Sequence, residues 1–244
     1  STWRSIKAGG GVAVATLLRL AKEHGFTLPK NGHAPAAPTA AELAERERQR
    51  IERQRQEQAR IDAGHATAAD QAAAQWQEAS ETGESPYLLR KGVRPHGVRF
   101  AAGGVLLVPL RDGEGKLWNV QRIAPEKPEN GGPEKLFLKS GRKSGLWHML
   151  GDLASGDDAG PAVLLIAEGL ATASTLHEAT GYPVASASDA GNMQHVARAL
   201  HKLYPAALLV LCGDDDQATE AQTGTNPGRV KAAAAAQAVR GLAI

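Results

Sequence analysis

Three carboxylate-bearing stretches in the 244-residue chain stand where chemistry could be done. Glu168 directly follows the apolar run "AVLLIA", Asp189 closes "YPVASAS", and Asp214, Asp215 and Asp216 follow "AALLVLCG". A lone acid after an apolar run is also what a solvated strand end presents. Several of them gathered at one place is different, because two carboxylates about 4 Å apart repel by about 4 kcal/mol at an effective dielectric near 20 unless a divalent ion or a proton offsets it. Such a cluster predicts either bound Mg²⁺ or Mn²⁺, which take hard oxygen ligands, or a carboxyl whose pKa is raised. The Asp-x-Asp spacing lets the first and third side chains point the same way, so Asp214 and Asp216 form the natural metal pair and Asp215 has no assigned role.

The elements that must position these acids are legible around them. From residue 161 the chain alternates apolar runs with helical segments: "AVLLIAEG", "LATASTLHEATG", "YPVASASDAG", "NMQHVARALHKLYP", "AALLVLCGDDD", "NPGRVKAAAAAQAVRG". Near-continuous apolar strands separated by helices imply a parallel sheet covered on both faces. Sites in such sheets form past the carboxyl ends of the strands, which places all three acidic stretches on one rim. Asn192 and Asn226 each precede a helix and read as helix caps. Thr172 stands in the first turn after Glu168, near enough to donate a hydrogen bond at the rim. His177 reads as a solvated helical residue and His148 as packing at the edge of the core.

Upstream the texture differs. "GVLLVPL" and "LWNVQRI" flank "RDGEGK", a hairpin signal, and a small antiparallel sheet is expected between about 98 and 140. Cations concentrate there and just beyond it, with Arg111, Arg122, Lys139, Arg142 and Lys143 the leading candidates to hold a polyanion. Before residue 85 lies a charged helical stretch opened by Thr39 and Glu42 in a capping-box pattern; Gly64 is expected to break it, with a second segment resuming at Thr67. Residues 12 to 25 form a short amphipathic helix that Gly25 ends, and the Pro- and Ala-rich stretch after it reads as a linker with a boundary near 30 to 39. The expected organisation is an N-terminal helical segment (1–30), a charged helical segment (39–84), a basic β-rich subdomain (85–155) and an α/β domain (160–244).

Bulk properties limit the classes. A formal net charge of +2 means that attraction to nucleic acid must come from local clustering. The single cysteine, Cys212, excludes an internal disulfide and reads as a buried thiol in a reducing cytoplasm. No apolar run reaches the roughly 18 residues of a membrane helix, so no membrane partner is expected. The start "STWRSIKAGGG" lacks both a Met and a signal-peptide core, which suggests a piece of a longer bacterial cytosolic protein.

"AEGLATA" resembles the EGYATA-type motif of primases carried by plasmids, phages and integrative elements. The order of a strand-end Glu, a second strand and a strand ending in Asp-x-Asp is similar to the TOPRIM domain of topoisomerases and bacterial primases. The resemblance covers about residues 85 to 241 and extends to "DAGN", "NPGRVKA" and "FLKSGRKSGLWHML". Leu170 departs from it, standing where the motif usually has Tyr.

The resemblance implies an α/β fold with a TOPRIM-like parallel sheet, preceded by a small basic β-rich subdomain and N-terminal helices. Glu168, Asp214 and Asp216 would be both catalytic and metal-holding residues, with Mg²⁺ or Mn²⁺ as cofactor and Asp189, Asn192 and Lys231 in support. The implied activity is nucleotidyl transfer by a DNA primase, making short RNA primers for plasmid or mobile-element replication. Its partners would be a single-stranded DNA template, nucleoside triphosphates and a replicative helicase. The rivals are a TOPRIM nuclease or strand-cleaving enzyme using the same acids, and a non-catalytic module that binds single-stranded DNA or a helicase.

Overall fold

The computed structural model of the chain describes residues 14–25, 38–129, 131–153 and 162–244, so most of the expected linker near 30 to 39 lies outside the described residues. The chain divides into two units, one ending at Gln54 and the other running Arg55–Ile244.

The first unit contains helix α1 (Val14–Glu23), ended by Gly25 at φ 83°, and the beginning of helix α2 (Ala40–Glu78). The capping box forms as the sequence predicts: Thr39 N–H donates to Glu42 Oε2 at 2.7 Å and Glu42 N–H to Thr39 Oγ1 at 3.2 Å. Two otherwise orphaned donors are thereby satisfied.

Gly64 does not break α2, which continues unbroken to Glu78. A mid-helix glycine costs only about 1 kcal/mol against alanine, which the alanine-rich turns after it offset. Its missing side chain also serves packing, because a Cβ there would lie 3.2 Å from Ser140 Cβ. The buried residues of α2 are Ala68, Ala69 and Ala72, and the earlier turns are stabilised locally by pairs such as Arg50–Glu47 at 2.6 Å and Arg60–Glu57 at 2.7 Å.

The second unit carries two sheets. Strands β1 (Arg99–Phe100), β2 (Leu106–Arg111), β3 (Leu117–Ile123) and β4 (Lys135–Phe137) form an antiparallel sheet in the order β1-β2-β3-β4. The expected hairpin joins β2 to β3, with Asp112 Oδ1 accepting the Glu114 and Lys116 N–H groups at 3.0 Å each. Helix α3 (Pro86–Lys91) packs on this sheet, and Tyr87, Phe100, Leu106 and Ile123 fill the layer between them.

Strands β5 (His148–Leu150), β6 (Val163–Ala167), β7 (Val184–Ser186), β8 (Leu208–Cys212) and β9 (Leu242–Ala243) form the second sheet in the order β5-β7-β6-β8-β9. Pairings β7–β6, β6–β8 and β8–β9 are parallel, whereas β5 runs antiparallel along β7. The sheet is therefore mixed at one edge and not purely parallel. Helices α4 (Leu170–Thr180), α5 (Met193–Leu203), α6 (Gln217–Thr223) and α7 (Pro227–Val239) follow β6, β7 and β8. Ile166, Leu209, Leu211, Val196, Leu200 and Ala235 form the core on one face, and Leu165, Ala173, Val184 and Cys212 form it on the other.

Two features join the sheets. Arg111 and Trp147 exchange backbone hydrogen bonds of 3.0 and 3.1 Å, which ties the end of β2 to the entry of β5. Leu170, two residues past Glu168, is buried in the α3 layer of the first sheet. Burying such a side chain contributes about 1.5–3 kcal/mol, and it fixes Glu168 at the seam between the sheets.

Candidate active site

Glu168, Asp214 and Asp216 lie past the carboxyl ends of the neighbouring parallel strands β6 and β8, where the register pairs Ala167 with Cys212. Glu168 is partly buried. Its carboxyl is pushed above the ordinary range, first by burial, then by the charge of Asp214 and more weakly by that of Asp216, while the Ala190 N–H and Lys231 pull the other way. A carboxyl in this state is one whose charge the protein alone does not neutralise.

The two aspartates are held separately. Thr172 Oγ1, in the first turn of α4, donates to Asp214 Oδ1 at 3.3 Å. Asp216 Oδ2 accepts the Gly228 N–H at 3.2 Å, at the start of α7. Gly228 must be glycine, since a Cβ there would collide with the Asp214 carbonyl oxygen. Asp215 points to another set of partners: it pairs with Arg229 at 3.1 Å and accepts from Asn226 Nδ2 at 2.8 Å. The Gln217 amide, which donates to it at 2.7 Å, and then Asn226 and Arg229 hold its carboxyl below the usual range, which fits its lack of an assigned role.

Among the described residues no group of three or more His, Cys, Asp or Glu side chains is gathered closely enough to hold a metal ion as it stands. The donor chemistry nevertheless fits a hard divalent cation, because the acids offer only carboxylate oxygens and their mutual repulsion is left unbalanced.

Asn226 caps α7, its Oδ1 accepting the Arg229 N–H at 3.2 Å, as its position predicts. Asn192 does not cap with its side chain. Buried at the start of α5, it takes the Gly145 N–H on Oδ1 and donates from Nδ2 to the Leu146 and Ala187 carbonyls, all at 2.9 Å. It latches the segment before β5 to the end of β7. Asp189 reinforces the latch by accepting the Asn192 N–H at 2.9 Å and pairing with Lys143 Nζ at 2.9 Å. Ser188, just before Asp189, is held at φ 69°, and its hydroxyl and that of Ser186 are buried without a protein partner.

The cations named from sequence are dispersed. Lys139 is exposed, and Lys143 is committed to Asp189. Arg142 lies 5.0 Å from the Trp118 ring centroid, and Arg122 donates to Gln75 Oε1 at 2.8 Å. Arg111 lies over Trp76 at 5.7 Å. Lys135 was not singled out by motif, yet its Nζ would stand 3.7 Å from a Cβ on Gly169, next to Glu168. Only the pairing of β4 with β3 brings it there, and no local signal marks it.

Both histidines behave structurally. His148 is buried, donates from Nε2–H to the His96 carbonyl at 2.6 Å, and has its pKa pushed by burial down to about 4. His177 is partly exposed on its helix, where its Nδ1–H donates to the Tyr182 carbonyl at 2.7 Å and its ring meets the His96 ring edge-on at 5.0 Å. Cys212 is a buried thiol, as its apolar run predicts, raised by burial to about 11.

An acidic rim on a mixed α/β sheet, with a cation-bearing antiparallel sheet beside it, is the class of arrangement the residues define. No protein-family model matches the chain. It is similar to DNA primase TraC of Escherichia coli, at 42% identity over 165 residues, which cover 67% of this chain and 15% of that protein. A second DNA primase TraC of Escherichia coli is 41% identical over 162 residues, covering 66% of this chain and 11% of that protein. The chain thus spans less than a sixth of the length of these relatives. Among solved structures, the DnaG primase catalytic domain bound to ssDNA aligns with a TM-score of 0.47 at 16% identity, over 72% of this chain and 67% of that one. The DnaG catalytic core aligns with a TM-score of 0.44 at 16% identity, over 72% of this chain and 66% of that one. No helix among the described residues is long and apolar enough to cross a membrane.

Proposed function

We propose that the chain carries the catalytic core of a DNA primase of the TOPRIM type, joining ribonucleotides into short primers on single-stranded DNA during replication of a plasmid or other mobile element. The observation that supports it most is the placement of Glu168 and of Asp214 and Asp216 just past the ends of two neighbouring parallel strands, where the aspartate charges help to raise the Glu168 carboxyl. Similarity to DNA primase TraC points the same way.

Glu168, Asp214 and Asp216 would hold Mg²⁺ or Mn²⁺, which when bound supplies positive charge against the triphosphate and the attacking oxygen. Glu168, its proton affinity raised by burial and by the charges of Asp214 and Asp216, would take the proton of the attacking hydroxyl. Thr172 orients Asp214, and the Gly228 N–H orients Asp216. Lys231 and Lys135 flank the acids and are placed to meet phosphate oxygens. Lys139 and Arg142, with Arg111 and Arg122 further along the antiparallel sheet, would follow the template backbone. Lys143 acts through its pair with Asp189, setting the loop's position. A replicative helicase is a further partner in this reading.

A priming assay on defined single-stranded templates with labelled ribonucleotides tests the proposal. Short RNA products that require Mg²⁺ or Mn²⁺ and vanish in Asp214→Ala/Asp216→Ala are expected. Products that survive the double substitution would refute it, and template fragments formed without nucleotides would identify a strand-cleaving enzyme instead. Tyr87, one of three tyrosines, is fully buried and unavailable as a nucleophile for such cleavage.

A further inference from the structure

A cavity of about 330 Å³ opens between the β2–β3 hairpin and the edge strand β5, lined by Trp76, Arg111, Trp147, His148 and Tyr204 among others, and by Asp112, whose carboxylate is taken by the Glu114 and Lys116 N–H groups and Trp118 Nε1. It is at the small end of the range for ligand sites, about 300–1,000 Å³. None of Glu168, Asp214 and Asp216 lines it. It is therefore a site separate from the acidic rim.

Its charge is unusual. Arg111 is only partly exposed, yet among the described residues it forms no ion pair. Its recorded hydrogen bond runs from Nη1 to the neutral Gly115 carbonyl at 2.8 Å, leaving further guanidinium donors uncommitted. The neighbouring charge that acts on it is another cation, Arg99, and burial and that repulsion together push the Arg111 guanidinium below its usual value. Both guanidiniums lie over the Trp76 ring, Arg99 at 4.8 Å and Arg111 at 5.7 Å. Arg99 is already paired with Glu81 at 2.5 Å, so Arg111 is the cation left for a ligand. His148 on the same wall is neutral near pH 7 and adds no charge.

A half-buried cation without a counterion, in a recess that Trp147, Tyr204 and the edge of the Arg-covered Trp76 help to line, suits an anionic group joined to a flat ring. Planar guanidinium also pairs bidentately with phosphate oxygens and stacks on rings. Aromatic walls bind bases through their faces without selecting among them.

We propose that this cavity is a second nucleotide-binding site, in which Arg111 takes the phosphate and the aromatic walls take the base. The occupant is one nucleotide unit, either a free nucleotide or one residue of a single strand. The pocket's binding does not require the rim acids and stands whether or not they perform primer synthesis.

Equilibrium binding of thymidine monophosphate and of a twelve-residue oligothymidylate to the full chain tests this, using wild type, Arg111→Gln, Trp76→Leu and, as reference, Glu45→Gln on the exposed face of α2. At least tenfold weaker monophosphate binding in Arg111→Gln and Trp76→Leu, with Glu45→Gln like wild type, supports the site and identifies a free nucleotide. The same pattern with the oligonucleotide alone supports the site and identifies a strand residue. Wild-type binding of both probes by variants that remain folded by circular dichroism overturns it, as does failure of wild type to bind either probe. Should the variants not fold, photocrosslinking of 5-iododeoxyuridine monophosphate to the wild-type chain decides. Adducts on Trp76, Trp147 or Tyr204 support the site, and adducts only elsewhere, or none, overturn it.

Discussion

Thr172 donates its hydroxyl to Asp214 at 3.3 Å, tying the first turn after β6 to the acid that follows β8. The contact crosses between strands that are neighbours in the sheet but 42 residues apart in sequence. It is the only hydrogen bond recorded among the described residues for the Asp214 carboxylate, so the acid's aim depends on one partner.

Thr172→Val keeps the shape and removes that donor. A partly exposed hydrogen bond of this kind contributes about 0.5–1.5 kcal/mol net, so stability should fall by no more than that. Primer synthesis should drop by about tenfold, with Thr172→Ser restoring most of it. Urea unfolding and initial priming rates measure the two effects side by side.

Glu168→Gln should make the protein more stable at neutral pH. The folded-state pKa of Glu168 lies above its ordinary value of 4.5, so the folded chain holds the proton more tightly than the unfolded one. Stability from this group is therefore full below the ordinary value, declines as pH rises through the raised one, and stays low beyond it. Glutamine escapes that loss. The variant should therefore melt higher than wild type at pH 7, and that advantage should shrink as pH falls toward the ordinary value of 4.5. Thermal melts across pH measure it.

Asn192→Ala should be costly, because the Gly145 N–H and the Leu146 and Ala187 carbonyls all lose their partner inside the protein. Each buried group left unsatisfied costs about 1–3 kcal/mol, and a total loss of at least 2 kcal/mol is expected in urea unfolding. Asn192→Asp should fare no better, since a carboxylate cannot donate to two carbonyls. Lys143→Ala breaks only the partly exposed pair with Asp189 and should cost less than about 1 kcal/mol.

Gly228→Ala should disable the rim. An added Cβ would strike the Asp214 carbonyl oxygen, which is backbone and cannot swing aside as a side chain would. Either α7 or the Asp214–Asp216 segment must move, so priming should be lost even where circular dichroism shows a folded protein. Wild-type priming by the variant would mean that the position of that segment does not matter.

The order of strands and helices after residue 161, the hairpin at Asp112 and the capping box at Thr39 were legible because each rests on contacts within a few residues. What escaped depends on distant partners. The run containing His148 to Leu150 is too short to announce a strand, and it becomes one only by pairing with Val184 to Ser186. Gly64 resembles a helix breaker until Ser140 is packed against it. Asn192 has the position of a cap, but three groups from the loop before β5 and the end of β7 claim its side chain. The rim acids Glu168, Asp214 and Asp216 were visible as strand ends, whereas Lys135 was legible only as one cation of the basic stretch and its place beside Gly169 depends on the pairing of β4 in the antiparallel sheet.

The central claim is that Glu168, Asp214 and Asp216 share a divalent cation, and electron paramagnetic resonance of added Mn²⁺ tests it without relying on activity. Titration of the wild-type chain should show bound Mn²⁺ at about one per chain, displaced by Mg²⁺, and Asp214→Asn/Asp216→Asn should lose it. Equal Mn²⁺ binding by wild type and the double variant, or none by wild type, would contradict the account.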